Sequence, residues 1–205
     1  MKNSERVTEF HPISLYNVIY KLVSRVIANG LKTILPHIIS DSQSAFVPKC
    51  LITDNVLVSF ETFHHMHTTK IGRDGAMALK LDISKAYDWV EWDYLESIMR
   101  KMGFHPRWVS MIMMCISMVS YSLLVNGEPH GYLKPTCGLR QEDPLSPYLF
   151  ILCAEKFHSL ITQASEQGNL QGVSPCRQGP KITHLFFAEY NLLFSKAILR
   201  DYEKI

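Results

Sequence analysis

An aspartate closes an alternating apolar run in Leu81-Asp82-Ile83-Ser84-Lys85-Ala86-Tyr87-Asp88, and it is the sharpest chemical feature of the sequence. Met77, Leu79 and Leu81 alternate with Ala78, Lys80 and Asp82, the period of a strand, so Asp82 leaves that strand on the face opposite the three large apolar groups. A strand fixes a carboxylate rigidly, and the turn after it exposes backbone N–H groups that can meet phosphate oxygens. That is the geometry on which metal-dependent phosphoryl transfer can be built. A strand-end Asp is more often an ordinary turn former or cap, and the residue alone does not establish the catalytic reading. His64, His65 and His67 form a second group, with His64 and His67 one helical turn apart, but a partly exposed helix face accounts for them better than a zinc site.

Holding a carboxylate in place takes a folded domain, and the composition provides for one. Of 205 residues, 47% are hydrophobic and only 20% charged, which lets the chain bury enough apolar surface to offset its ordering entropy and excludes a disordered tail. A net charge of +2 is too mild to announce a nucleic-acid partner by electrostatics alone. The five cysteines, Cys50, Cys115, Cys137, Cys153 and Cys176, are odd in number and contain no C-x-x-C pair. They argue against a disulfide framework and a zinc ribbon, and for a reducing, intracellular setting in nucleus or cytoplasm. Met1 to Glu9 is polar, and the longest apolar stretch, Tyr148 to Ala154, is too short to span a bilayer, so the expectation is a chain neither secreted nor membrane-inserted.

The spacing of Val18, Ile19, Leu22, Val23, Val26, Ile27, Leu31, Ile34 and Leu35 predicts a helix from Asn17 to Leu35, stopped by Pro36. A second helix is expected from Thr53 or Asp54, turning Val56, Leu57, Phe60 and Phe63 inward and ending before Gly72. After the Asp82 strand come a helix over Glu91–Met102, burying Trp92, Leu95, Ile98, Met99 and Met102, and another from Pro106. Met111, Met113, Met114 and Met118 read as core filler. Asn126-Gly127 marks a hairpin between Tyr121–Val125 and a return arm through Tyr132-Leu133. Tyr148 to about Ala164 is apolar almost all round and predicts a central helix buried on most sides. Ile182–Phe187 and Leu192–Phe194 form a second hairpin around Ala188-Glu189-Tyr190-Asn191. The order of elements predicts an α+β fold with helices on one face of an antiparallel sheet.

Five stretches stand in order along the chain: Phe10-His11-Pro12-Ile13-Ser14-Leu15, Gln43-Ser44-Ala45-Phe46-Val47-Pro48, Leu81 to Asp88, Gly138-Leu139-Arg140-Gln141-Glu142-Asp143-Pro144-Leu145-Ser146-Pro147, and Phe187-Ala188-Glu189-Tyr190. Together they resemble the motifs of reverse transcriptases, in particular those of plant non-LTR retrotransposons. The resemblance implies a polymerase palm, a small antiparallel sheet backed by helices, with fingers elements over about 1–75 and mainly palm over about 76–205. A thumb and an endonuclease, which complete members add, do not fit in 205 residues. It also implies the partners of that family: an RNA template, a DNA primer and a deoxynucleoside triphosphate, with no membrane.

In that family three aspartates hold two Mg²⁺ ions, which clamp an in-line displacement from about 3.5–4 Å apart and so demand closely placed carboxylates. Asp82 matches the first aspartate, whereas Glu189 and Tyr190 stand where the other two belong. Glu189 keeps a charge one methylene further out, and Tyr190 offers a bulky phenol in place of a hard oxyanion, leaving Asp82 and Glu189 as the implied metal ligands. The resemblance places Ile83, Ser84, Lys85 and Ala86 against the triphosphate and makes Tyr87 the gate against a ribose 2′-hydroxyl. Arg140 and Gln141 are retained in the nucleotide pocket, but Glu142 replaces a glycine that permits close backbone approach. His11 stands for an arginine, Lys49-Cys50 for Gly-Arg, and Trp89 for a further common arginine. The expectation is a remnant of an RNA-directed DNA polymerase with its catalytic site disabled; weak residual Mg²⁺-dependent synthesis and a non-catalytic RNA- or protein-binding remnant are the alternatives.

Overall fold

The computed structural model describes residues 17–68, 75–176 and 179–197. The first motif, including His11, and most of the expected turn after the second helix lie outside the described residues.

Helix α1 spans Val18–Ile38 and is capped by Asn17, whose side chain accepts the Tyr20 N–H at 2.7 Å. Pro36 does not stop it but sits in its last turn. The hydrogen bond that Pro36 cannot donate would have gone to the carbonyl of Lys32, and both residues are exposed, so water can serve that carbonyl. Inward-facing Ile27, Ala28, Leu31 and Leu35 join α1 to the main core, while Val18, Ile19, Leu22 and Val26 stay exposed.

Helix α2, Ile52–Thr68, departs from the expected orientation. Val56, Leu57, Phe60 and Phe63 are exposed, and the buried residues are Asn55 and Thr62. The inward face is polar at its N-terminal end because it meets backbone there: Asn55 Nδ2 donates to the carbonyls of Ser42 (2.9 Å) and Phe186 (3.2 Å). A buried carbonyl gains more from a donor than from an apolar neighbour.

Strand β1 (Ala76–Asp82) is followed by α3 (Trp92–Lys101), α4 (Pro106–Ser117), the hairpin β2 (Tyr121–Val125) and β3 (Glu128–Leu133), α5 (Ser146–Glu166), β4 (His184–Phe187) and β5 (Tyr190–Lys196). Leu95, Ile98 and Met99 of α3 are buried as expected; Trp92 and Met102 are half-buried against the same core. Met111 and Met113 of α4 also pack there, but Met114 and Met118 are exposed. Asn126 and Gly127 both take positive φ, 53° and 87°, as the tight hairpin requires. In α5, Leu149 to Leu152 are consecutively buried, whereas Lys156, Ser159 and Leu160 are exposed: only the first half lies inside the helical core.

The main sheet is antiparallel in the order β1-β5-β4. Its two faces are both covered. Leu79, Leu81, Phe186 and Leu193 meet Phe157 and Ile161 of α5, while Leu185 and Phe194 meet Val58 and Met66 of α2. Phe63 completes the second contact edge-on to Phe194, with ring centroids 5.5 Å apart. The expected single helical layer therefore becomes two. A polar seam joins α5, β4 and the segment before α2: His158 and His184 share a hydrogen bond of 2.6 Å, and Ser42 Oγ lies 3.0 Å from His158 Nδ1. Among the described residues no helix is long and apolar enough to cross a membrane.

Candidate active site

Strands β1 and β5 end side by side, and their register sets Asp82 opposite Tyr190. One residue on, the Ile83 N–H donates to the Glu189 carbonyl at 3.3 Å, which fixes the β4–β5 turn against the start of the 84–89 turn. Lys85 takes φ 54° there, and the Asp88 N–H closes the turn onto the Lys85 carbonyl at 2.8 Å. Two further backbone bonds of 2.8 Å, from Leu139 to Tyr87 and from Gly138 to Val90, lace this turn to the loop before α5. Gly138, with φ 88°, makes the close approach possible: a Cβ on it would lie 3.1 Å from the Asp88 carbonyl oxygen.

The loop before α5 is held by a buried polar network. Arg140 donates from its guanidinium to the Cys115 carbonyl at 2.7 Å, lies 3.5 Å from Asp143 Oδ2, and stacks 3.9 Å above the Tyr20 ring of α1. Tyr20 donates its hydroxyl to Asp143 Oδ2 at 2.5 Å, and Asp143 Oδ1 accepts the Leu145 N–H at 3.0 Å where α5 begins. Burial, followed by the bond to Asp143 and that carboxylate's charge, holds the Tyr20 phenol far above its ordinary range. Arg140 therefore supports the loop from behind, and its guanidinium is committed to protein partners. Glu142 is exposed at the loop's turn with φ 64°, a left-handed conformation that favours glycine.

These segments enclose a cleft of about 720 Å³. Its lining brings together Asp82, Ile83, Ser84, Lys85, Ala86 and Tyr87 from the β1 turn, Arg140, Gln141 and Glu142 from the loop, and Glu189 and Tyr190 from the second hairpin. The residues that the resemblance assigns to the metals, the triphosphate and the nucleotide pocket are thus all at one cleft. Asp143, Ser146 and Pro147 line it as well. No role was assigned to Asp143 from sequence, although an acidic residue just before an apolar helix is a capping signal. Lys49, Cys50 and Trp89 are exposed elsewhere, and Lys49 too has a positive φ, 71°. His64 and His67 are exposed and His65 half-buried on α2; none of them lines the cleft.

Tyr87 stacks on Phe150, with centroids 5.0 Å apart and rings 14° from parallel. Burial, and then the Glu189 charge, push its phenol up to about 12. Lys80 Nζ lies 5.2 Å from the centre of the Tyr190 ring, a cation–π contact at the cleft's edge. Asp82 and Glu189 are the carboxylates at the two strand ends, and a phenol faces Asp82 across the ladder. Among the described residues no three His, Cys, Asp or Glu side chains gather closely enough to hold a metal. The residues present do not fit a two-ion site, which needs several hard oxygen ligands in near-octahedral order.

Comparison with known proteins bears on this cleft. The family described as reverse transcriptase (RNA-dependent DNA polymerase) matches residues 1–200. An uncharacterized mitochondrial protein of Arabidopsis thaliana, AtMg01250, is 52% identical over 66 residues, 32% of this chain and 54% of that protein. The transposon TX1 149 kDa protein of Xenopus laevis is 30% identical over 155 residues, 76% of this chain but 12% of its own length. The Pol polyprotein of the Drosophila melanogaster type-2 element R2DM is 28% identical over 165 residues, 80% of this chain and 15% of that one. The chain thus spans about half or much less of the length of these relatives. Among solved structures, Candida albicans telomerase with a fragment of telomeric RNA superposes with a TM-score of 0.57 at 12% identity, over 90% of this chain and 31% of that one. Apo telomerase of Candida tropicalis gives 0.55 at 11% identity, over 91% and 35%. These two likenesses show the fold, a palm-type polymerase fold with a small antiparallel sheet.

Proposed function

The chain belongs to the reverse transcriptase (RNA-dependent DNA polymerase) family, and we propose that it is the fingers and palm portion of a non-LTR retrotransposon polymerase whose nucleotidyl-transfer site is assembled but disabled. One observation carries this: Tyr190, not a second carboxylate, is the cross-strand partner of Asp82. In-line transfer of a nucleotidyl group needs cationic stabilisation of both the attacking and the leaving oxygen, and the carboxylates that gather the cations are the protein's contribution. This cleft keeps the scaffold of that contribution and only part of its chemistry.

Within the same proposal, residues up to about 75 are fingers elements and residues 76–205 are mainly palm. The partners inherited with the fold are an RNA template, a DNA primer and a deoxynucleoside triphosphate, and the setting is nucleus or cytoplasm, supported by five cysteines that are all unpaired. Ile83 to Ala86 face the triphosphate, and Tyr87, held flat against Phe150, gates the sugar. Arg140 acts at one remove, by fixing the loop that carries Gln141 and Glu142.

Primer extension on an RNA template, run with Mg²⁺ and with Mn²⁺, tests the reading. The expected result is no product with either ion. Template-dependent extension above a control carrying Asp82→Ala overturns it in favour of residual synthesis. Salt-sensitive RNA binding without extension would leave the disabled site in place and give the remnant a binding role.

A further inference from the structure

Gln43 is among the most deeply buried polar residues described, 2% exposed, and it does not line the cleft. Its side-chain oxygen accepts two backbone N–H groups, Ala45 at 2.9 Å and Ala188 at 3.2 Å. Ala188 begins the turn that presents Glu189. It is 5% exposed, has φ 56°, and lies outside the β4–β5 ladder, which closes at Phe187 and Tyr190. Its buried N–H therefore needs an acceptor that the strands do not supply. We infer that Gln43 is a positioning residue, holding the Ala188–Glu189 turn in the place that sets Glu189 beside Asp82. The importance of that turn rests on the function proposed above; the contact itself does not.

The backbone under Gln43 is anchored for this task. Gln43 bridges Phe186, the Phe186 N–H donates to Ser42 (2.8 Å), the Ser44 N–H donates to Phe186 (3.2 Å), and Asn55 clamps both carbonyls from α2. The turn is thus gripped at two successive residues from two sides. Gln43 takes the N–H of Ala188, and Ile83, next to Asp82, donates to the carbonyl of Glu189. Two N–H donors converge on one side-chain atom, which must be the oxygen; the Nε2 group is buried and makes no hydrogen bond among the described residues.

That unmatched Nε2 separates positioning from mere filling. Gln43→Glu keeps an oxygen for both N–H groups and removes the orphan donor, whereas Gln43→Met keeps the volume and accepts nothing. A filler role ranks Met at or above the natural residue and Glu last, because a buried carboxylate is costly. A positioning role reverses the order.

The readout is amide hydrogen exchange of the full chain by NMR. In Gln43→Met the Ala188 amide should exchange about tenfold faster, the factor expected for one hydrogen bond, while Leu193 in the middle of β5 changes little. In Gln43→Glu the Ala188 rate should stay near that of the unaltered chain. The inference is overturned if Met leaves Ala188 protected, if Glu exposes it as much as Met does, or if all β5 amides quicken together. Should the Met variant not fold, the unaltered chain decides: an Ala188 amide exchanging at the rate of an unstructured peptide overturns the inference. No metal or nucleotide enters this readout, so a failure of the proposed function would leave the Gln43 result standing, and the reverse.

Discussion

Glu142→Gly should stabilise the chain. Glu142 is exposed and holds φ 64° in the turn before α5. A left-handed backbone costs a residue with a Cβ about 1–2 kcal/mol, while glycine's extra freedom in the unfolded chain returns about 0.5–1 kcal/mol of that gain. The net is about 0.5–1 kcal/mol in favour of glycine, or roughly 1–4 °C in melting temperature for a chain of this size. Chemical denaturation is the assay, with the midpoint expected to rise and the slope to stay fixed. Glu142→Ala is the control, because it removes the carboxylate and keeps the Cβ; it should move stability by no more than about 0.5 kcal/mol. If glycine lowers the midpoint, or alanine raises it as much as glycine does, the backbone argument is wrong and the side chain itself is what matters. Lys49, with φ 71°, offers an independent repeat of the same test.

Acid should weaken the seam between α5 and β4. Burial, and then the charge of His158, lower His184 from its ordinary 6.5 to about 4, so the unfolded chain binds that proton first and stability falls as pH drops from about 6.5 to about 4. The loss is on the order of 3 kcal/mol, read as the denaturant midpoint at pH 7 against pH 4, and His184→Asn should flatten it. Arg140→Ala strands the Asp143 carboxylate in a buried site and should cost about 3–5 kcal/mol; a change below about 1 kcal/mol in thermal or chemical unfolding would mean that the network is not held by that charge. The triple variant Glu189→Asp, Tyr190→Asp and Glu142→Gly should gain calorimetric binding of Mg²⁺ with a deoxynucleoside triphosphate. A folded triple variant that binds no better than the natural chain would place the fault in the scaffold instead of the ligands.

Much of the site was legible because it is local. Alternation in Met77 to Asp82 set which face Asp82 takes, and the order of five short motifs brought three distant segments to one cleft before any distance was known. The two positions where the resemblance placed glycine, Lys49 and Glu142, both proved to have positive φ. What periodicity could not reveal was polar residues that face inward to serve backbone. Asn55 turns inward on α2 because it serves the carbonyls of Ser42 and Phe186, for which a count of apolar spacing gives no credit, while the buried Thr62 hydroxyl is satisfied by the Val58 carbonyl of its own helix. The partners of the Arg140 guanidinium were hidden for a related reason, although the residue lines the cleft. A basic residue in a nucleotide motif suggests phosphate, and only the fold shows Cys115, Asp143 and Tyr20 around its guanidinium.

The strand order β1-β5-β4 also governs when the site can come into being. The middle strand of the sheet is the last element among the described residues, so β1 leaves the ribosome more than a hundred residues before its partner. At ordinary elongation rates that is a wait of about 5–20 s during which Ala76 to Asp82 has no ladder to join. Such a distant pairing closes late and slowly. A nascent chain that stops anywhere short of β5 loses the centre of its sheet, and with it both flanks of the cleft, in a single step.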